Sequence, residues 1–331
     1  MGHIFVGFIP LGTNGSAIFR TTVSNLIFFI PFHVNLFVLI SGYCGIKSSK
    51  SVLKTWKLVF SYLVLIALMN LVFSWGTFDY SSLLFSLSRN PWWFMHIYVL
   101  LALLAPTLLE PLLSTIKKGD LLKLAGTLLL IDVYFGFICH METVHNGGYD
   151  LIHFVTIYII GGYLRTLDVK HLVIKDHLLK ARHFILAFAV VIVLKLVWHF
   201  AVKFLGFSDW FVDYNHLFNI ALAVCAFLCF LNLNITNTKI QFVSSSVISV
   251  YLLSEHPLIR AWLMKEFDVL VGYCHNILPL ELLLIPLFVV AIFIPAILID
   301  KIRLKLVHGA EGIITISCRN VKNHFSENEK D

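Results

Sequence analysis

Residues 28–45 read FFIPFHVNLFVLISGYCG, an apolar run interrupted by His33, Asn35, Ser41 and Tyr43. A stretch of this length and polarity reads as a bilayer-crossing helix, which satisfies its own backbone groups where no water can. Polar side chains at membrane depth cost free energy, so a run of them marks a functional interior or contacts between helices. The rest of the chain repeats the pattern. Hydrophobic residues make up 59% and charged residues 13%, and the mean hydropathy is +0.86. Soluble domains are about 45–50% apolar and about 25% charged, so the chain reads as an all-α integral membrane protein. Alternating apolar strands are absent, which excludes a barrel.

Nine full spans are expected, at 24–46, 57–75, 92–114, 121–139, 150–167, 183–206, 215–233, 241–262 and 277–299. Residues 1–305 form one membrane-embedded domain in this reading, and 306–331 a polar cytoplasmic tail that frays at its end. Loop charge sets the orientation. Of the 25 Lys and Arg, nineteen fall in one set of loops and the tail, among them Lys47, Lys50, Lys54 and Lys57. Five (Arg20, Arg89, Lys203, Arg260 and Lys265) fall on the opposite side, and Lys195 lies within a span. The first set is therefore expected to be cytoplasmic. Because the basic residues are spread through these loops, the net charge of +6 does not point to nucleic acid. Cys225 and Cys229 are one helical turn apart, but no ligand partners follow at metal spacing; no metal is expected. The opening GHIFVGFIPL (2–11) is only half a span, so an intact form is expected to have ten spans with both ends cytoplasmic.

Four blocks resemble the membrane-bound acyltransferase family 3. VNLFVLISGYCGIKSSK (34–50) is similar to its hallmark segment, and NPWWFMHIYVLLALLAPTL (90–108) to its Trp-Phe…Tyr…Pro helix. FVTIYIIGGYLR (154–165) resembles its Gly-x-Tyr-Leu-Arg helix, and SSSVISVYLLSEHPLIR (244–260) its late Ser…Tyr-Leu helix. The blocks stand in the family's order.

The resemblance implies a ten-helix enzyme that moves an acyl group, most often acetyl, from cytoplasmic acyl-CoA to a hydroxyl of a cell-envelope sugar or lipid-linked sugar. It implies a multi-pass protein of the bacterial inner membrane, with the C-terminus cytoplasmic. His3 matches the position of the family's proposed base; the Arg that accompanies it would lie before Met1. The hallmark segment is followed here by lysines where the family often has arginines. The late helix ends in Ser254, with His256 two positions beyond.

Acyl transfer to an alcohol needs a base, a task suited to imidazole. His3 is the first candidate; Glu255 and His256 form a second ionisable pair. Asn35, Ser41, Tyr43, Trp93, His96, Tyr98 and Tyr251 are candidates for lining an acceptor chamber. Lys47, Lys50, Lys54 and Lys57 are candidates for the phosphates of acyl-CoA, as point charges without the arginine fork. The residues by themselves leave a transporter or a non-catalytic membrane relative open. No pair of Gly/Pro-broken helices in matching halves points to a transporter repeat.

Overall fold

A computed structural model describes residues 14–27, 30–48, 50–141, 143, 146–167, 181–206, 212–231, 233 and 237–328, with side chains as far as Val307 except those of Leu26 and Ala181. His3 lies outside the described residues. The regular elements among those described are helices, in the order α1 Ala17–Ile27, α2 His33–Cys44, α3 Lys50–Phe73, α4 Ser81–Leu84, α5 Trp93–Thr115, α6 Lys118–Ile138, α7 Leu151–Thr166, α8 Ala181–Phe204, α9 Leu217–Leu231, α10 Thr238–Ser244, α11 Val247–Ser254, α12 Pro257–Gly272 and α13 Leu278–Asn328.

Every expected span falls on a helix, but not every helix is long enough to cross a bilayer alone. Among the described residues, five are long and apolar enough: α3, α5, α6, α8 and α13 as far as Val307. The bent pair Thr238–Ser254 and Pro257–Gly272 makes a sixth if it is one span. α2, α7 and α9 are apolar but shorter, so length does not carry the count of nine.

Two differences from the expected boundaries trace to proline. The span at 24–46 is divided between α1 and α2, with Pro31 in the connection, because the proline ring clashes with a preceding helical turn. The span at 241–262 breaks before Pro257, which opens α12 at a bend of 87°. Proline is tolerated there because a first-turn residue has no intrahelical N–H bond to lose. The C-terminal stretch differs too. α13 runs to Asn328 instead of ending near Lys301; a helix already nucleated by a membrane segment extends at little further cost.

α7 is the hub. It buries His153, Phe154, Thr156, Ile157, Tyr158, Ile159, Gly161 and Gly162, and packs against α2, α5 and α6. α2 crosses it so closely that a Cβ on Gly42 would meet the backbone of Tyr158, and one on Gly161 the carbonyl of Leu39. Small residues at such a crossing let two helices approach without a water-driven hydrophobic term. α9 joins α8 to α2, while α3 and α11 connect α5 to α13. α1 is held by its N-terminus: Ser16 donates its backbone N–H (2.8 Å) and hydroxyl (2.6 Å) to the buried Glu281 of α13.

Candidate active site

Two polar centres lie toward opposite ends of the bundle, and the elbow between α11 and α12 builds the first. Tyr251 stands one turn before the end of α11, and Glu255 and His256 form the break. Facing them, Asn90 accepts from the Trp92 N–H through its side-chain oxygen (3.0 Å) and turns the chain into α5. The Trp92 indole donates to the Leu252 carbonyl at 2.9 Å, which fixes the buried ring against α11. Between these elements is a cavity of about 310 Å³ lined by Trp92, Trp93, Tyr251, Glu255, Arg260 and Met264. Arg260 donates to Glu255 Oε2 at 3.4 Å, while Glu255 Oε1 is buried and has no hydrogen-bond partner. A buried carboxylate oxygen in that state costs free energy until a donor reaches it.

Trp93 is held from behind by an aromatic group. Its ring lies 5.6 Å from that of Tyr214 at 25° and 4.5 Å from that of Tyr149. A buried polar network in turn holds Tyr214. Asn35 of α2 donates to the Tyr214 carbonyl at 2.8 Å. Its side-chain oxygen lies 2.7 Å from His153 Nε2, and His153 Nδ1 lies 2.7 Å from Asp132 Oδ2. Asn215 donates to the Asp132 carbonyl at 3.2 Å. Asp132 sits in a wide π-type segment of α6, Leu130–Ile138. Such widened turns re-aim a side chain out of the regular helical register and recur at functional sites. Asp150 caps α7 by accepting from the His153 N–H at 2.9 Å.

The second centre lies where α2, α5 and α7 approach the basic loops. Arg165 donates to both oxygens of Glu110 (3.0 and 3.2 Å), and the Tyr158 hydroxyl donates to Glu110 Oε1 at 2.6 Å. That hydroxyl accepts from the Ile46 N–H at 2.8 Å. Gly45 is required beside it: its φ is +79° and the Arg165 guanidinium lies over its α-carbon. Lys47, Lys50, Lys54 and Lys57 are exposed along this end.

The expected residues divide accordingly. Trp93, Tyr251 and Glu255 meet at the cavity. His256 is next to it but turned away: it stacks on Phe78 at 6.0 Å, and its Nδ1 accepts from the Leu258 N–H at 3.4 Å, capping α12. His96 is one turn further along α5, with its Nε2 buried and without a hydrogen-bond partner. Asn35 belongs to the His153 network rather than to the cavity lining. The Ser41 hydroxyl bonds within its helix to the Phe37 carbonyl (3.1 Å), Tyr98 packs on Phe37 and Phe94, and Tyr43 packs on Phe227.

Compared with known protein families, residues 1–300 match the acyltransferase domain family, acyltransferase type 3. The chain belongs to the acyltransferase 3 family. No curated protein and no solved structure matches it. The protein is thus a membrane acyltransferase, and the four family-like blocks can be placed in space. The first ends at the Gly45–Arg165 centre and the third supplies that arginine. The second and fourth form the two walls of the cavity.

Asp132, His153, Glu110 and Arg165 escaped the sequence-based site list. For Asp132 and Glu110 a signal was present, since each is a lone carboxylate inside an apolar run (LLLIDVYF and PTLLEPLL), and an ionisable residue at membrane depth has a partner. Which partner is not written in the run.

Proposed function

We propose that this acyltransferase moves an acyl group, acetyl in the simplest case, from acyl-CoA to a hydroxyl of a cell-envelope sugar, free or lipid-linked. The observation that carries the reading is the Trp92–Trp93–Tyr251–Glu255–Arg260 cavity. Aromatic rings offer flat apolar faces to a sugar ring, and the unpartnered Glu255 oxygen accepts a hydrogen bond from a hydroxyl. A volume of about 310 Å³ is at the small end of ligand pockets and suits one sugar unit. The cavity lies away from the basic loops, on the side where an acceptor of the outer face arrives. Lys47, Lys50 and Lys54 meet the donor's phosphates at the other end, beside the Gly45–Arg165 turn.

In this scheme His3 is the base. The acceptor oxygen attacks the thioester carbonyl carbon while its proton passes to the imidazole. The tetrahedral intermediate collapses, the carbon–sulfur bond breaks, and the sulfur leaves with that proton as the CoA thiol, giving the sugar ester. Glu255 orients the hydroxyl before attack, and Arg260 holds Glu255. His256 shapes the elbow. His153 and Arg165, twelve positions apart on α7, mark the two ends about 18 Å apart, so the extended arm of the donor must enter the bundle to deliver its acyl group. The excess of Lys and Arg in one set of loops supports a cytoplasmic position for those loops and the C-terminus, and the family supports the inner membrane.

The test uses membranes holding the full chain and acetyl-CoA labelled in its acetyl group. Label is expected in the polysaccharide fraction, lowered roughly tenfold or more by Glu255→Gln and abolished by His3→Ala. Labelling that is undiminished in Glu255→Gln would remove the cavity from the mechanism.

A further inference from the structure

α12 is a wall with space on both sides. Pro257, Arg260, Ala261 and Met264 line the acceptor cavity of about 310 Å³. Ile259, Trp262, Leu263 and Glu266, at the same spacing but displaced by two positions, line a second hollow of about 430 Å³, whose opposite wall includes Phe288, Ile292 and Ala296 of α13. Two positions are about 200° of helical turn, so the cavity and the hollow lie on opposite faces of α12. Packed side chains resist displacement of a helix, and a face bordered by space forfeits that resistance. The position of α12 is therefore set from its ends.

At the near end the elbow holds it, through the Trp92 bond to Leu252 and the His256 cap. At the far end the Phe267 ring meets that of Phe288 at 4.9 Å, and the residues that lead into α1 form a clamp. Asn14 donates its backbone N–H to Asp268 Oδ1 (3.0 Å), and its side-chain amide to Asp268 Oδ2 (3.0 Å) and to the Asp268 carbonyl (3.4 Å). Two residues on, Ser16 donates twice to Glu281 of α13, and its hydroxyl accepts from the Phe19 N–H at 3.1 Å, capping α1. Asn14 and Ser16 thus staple α12 to α13. Glu281 is buried, whereas the Asn14–Asp268 bonds are exposed, so that half can open without stranding a buried group. We propose that Asp268 is a positioning residue of the acceptor site. By holding Asn14 it keeps the α12 wall, with Arg260 and Met264, at the separation from Trp93 that an acceptor needs. The inference rests on the cavity being the acceptor site, and it concerns the placement of that site's wall rather than its chemistry.

Asn14→Asp sets two carboxylates against each other and breaks the clamp. Adding Asp268→Asn restores an amide–carboxylate pair with the partners exchanged. Spin labels on Lys265→Cys of α12 and Leu108→Cys of α5, both exposed, report the position of the wall in the full chain by electron–electron double resonance, with the native cysteines replaced. The distance distribution is expected to broaden in Asn14→Asp and to narrow again in the exchanged pair. In membranes given labelled acetyl-CoA, kcat is expected to fall about fivefold in Asn14→Asp, with KM for acetyl-CoA within about twofold, and to recover to at least about half in the exchanged pair. Asn14→Ala keeps the backbone bond and should broaden the distribution less; if Asn14→Asp aggregates, this variant still decides. A distribution that stays narrow overturns the proposal, as does an exchanged pair no more active than Asn14→Asp, or a loss that lies in KM for acetyl-CoA. Narrow distributions together with an impaired Glu255→Gln remove the clamp alone, whereas undiminished labelling in Glu255→Gln removes the acceptor reading and the positioning role with it.

Discussion

His153 is held at both ring nitrogens. The Tyr214 carbonyl can only accept, so the Asn35 amide must aim its nitrogen there and its oxygen at His153 Nε2. Nε2 therefore carries a hydrogen, and a further proton lies between Nδ1 and Asp132. All three side chains are buried, where an unsatisfied polar group is most expensive. Removing one member strands the others. Asn35→Ala is expected to lower stability by about 2 kcal/mol. Asp132→Asn is expected to lower it by about 1–3 kcal/mol, because the carboxyl that shares a proton with His153 Nδ1 is lost from a buried pair. Thermal unfolding in detergent reads both; a melting temperature unmoved by either would mean the network is decorative. The sequence exposed half of this. Asn35 was visible as a polar residue in an apolar run, whereas His153 opens a helix next to an ordinary capping aspartate and looks like a boundary residue.

The α2–α7 crossing governs at the scale of elements. A methyl group on Gly161 runs into the Leu39 carbonyl, and backbone cannot yield as a flexible side chain does. Gly161→Ala should therefore destabilise by about 1–3 kcal/mol. Gly126, inside α6 with nothing within 4 Å of an added Cβ, is the matched control. Gly126→Ala should gain about 0.5–1 kcal/mol from reduced backbone freedom in the unfolded chain. Equal effects at the two sites would contradict the tight crossing. The two glycines look alike in sequence, since each stands within an apolar helix and only the neighbouring helix tells them apart. The α11–α12 elbow left a signal that the sequence reading did not use. Pro257 is a local signal for a break, yet the sequence reading carried one span through Ser254-Glu255-His256-Pro257, and the 87° bend that opens the cavity depends on what α12 packs against.

Over the whole molecule the two polar centres define two ends, and the cysteines offer a test of which end faces which compartment. Cys44 closes α2 at the basic-loop end and Cys139 follows α6 at the other; both are free and exposed. With all other cysteines replaced, a membrane-impermeant maleimide added to intact cells should label Cys139 directly and Cys44 only after permeabilisation. The reverse pattern would invert the orientation and with it the placement of donor and acceptor.

The sequence by itself determined that the chain is helical and lies in a membrane, where its apolar segments fall, and which family it belongs to, because hydropathy and short motifs are local properties. Tyr251, Glu255 and Trp93 were within its reach for the same reason: each sits in such a motif. The tertiary structure alone decided that Asp132 faces His153, that Arg165 closes over Gly45, and that His256 turns from the cavity to cap a helix. Those outcomes depend on crossing distances and rotations between helices far apart in the chain, which apolar residues of similar size encode only collectively.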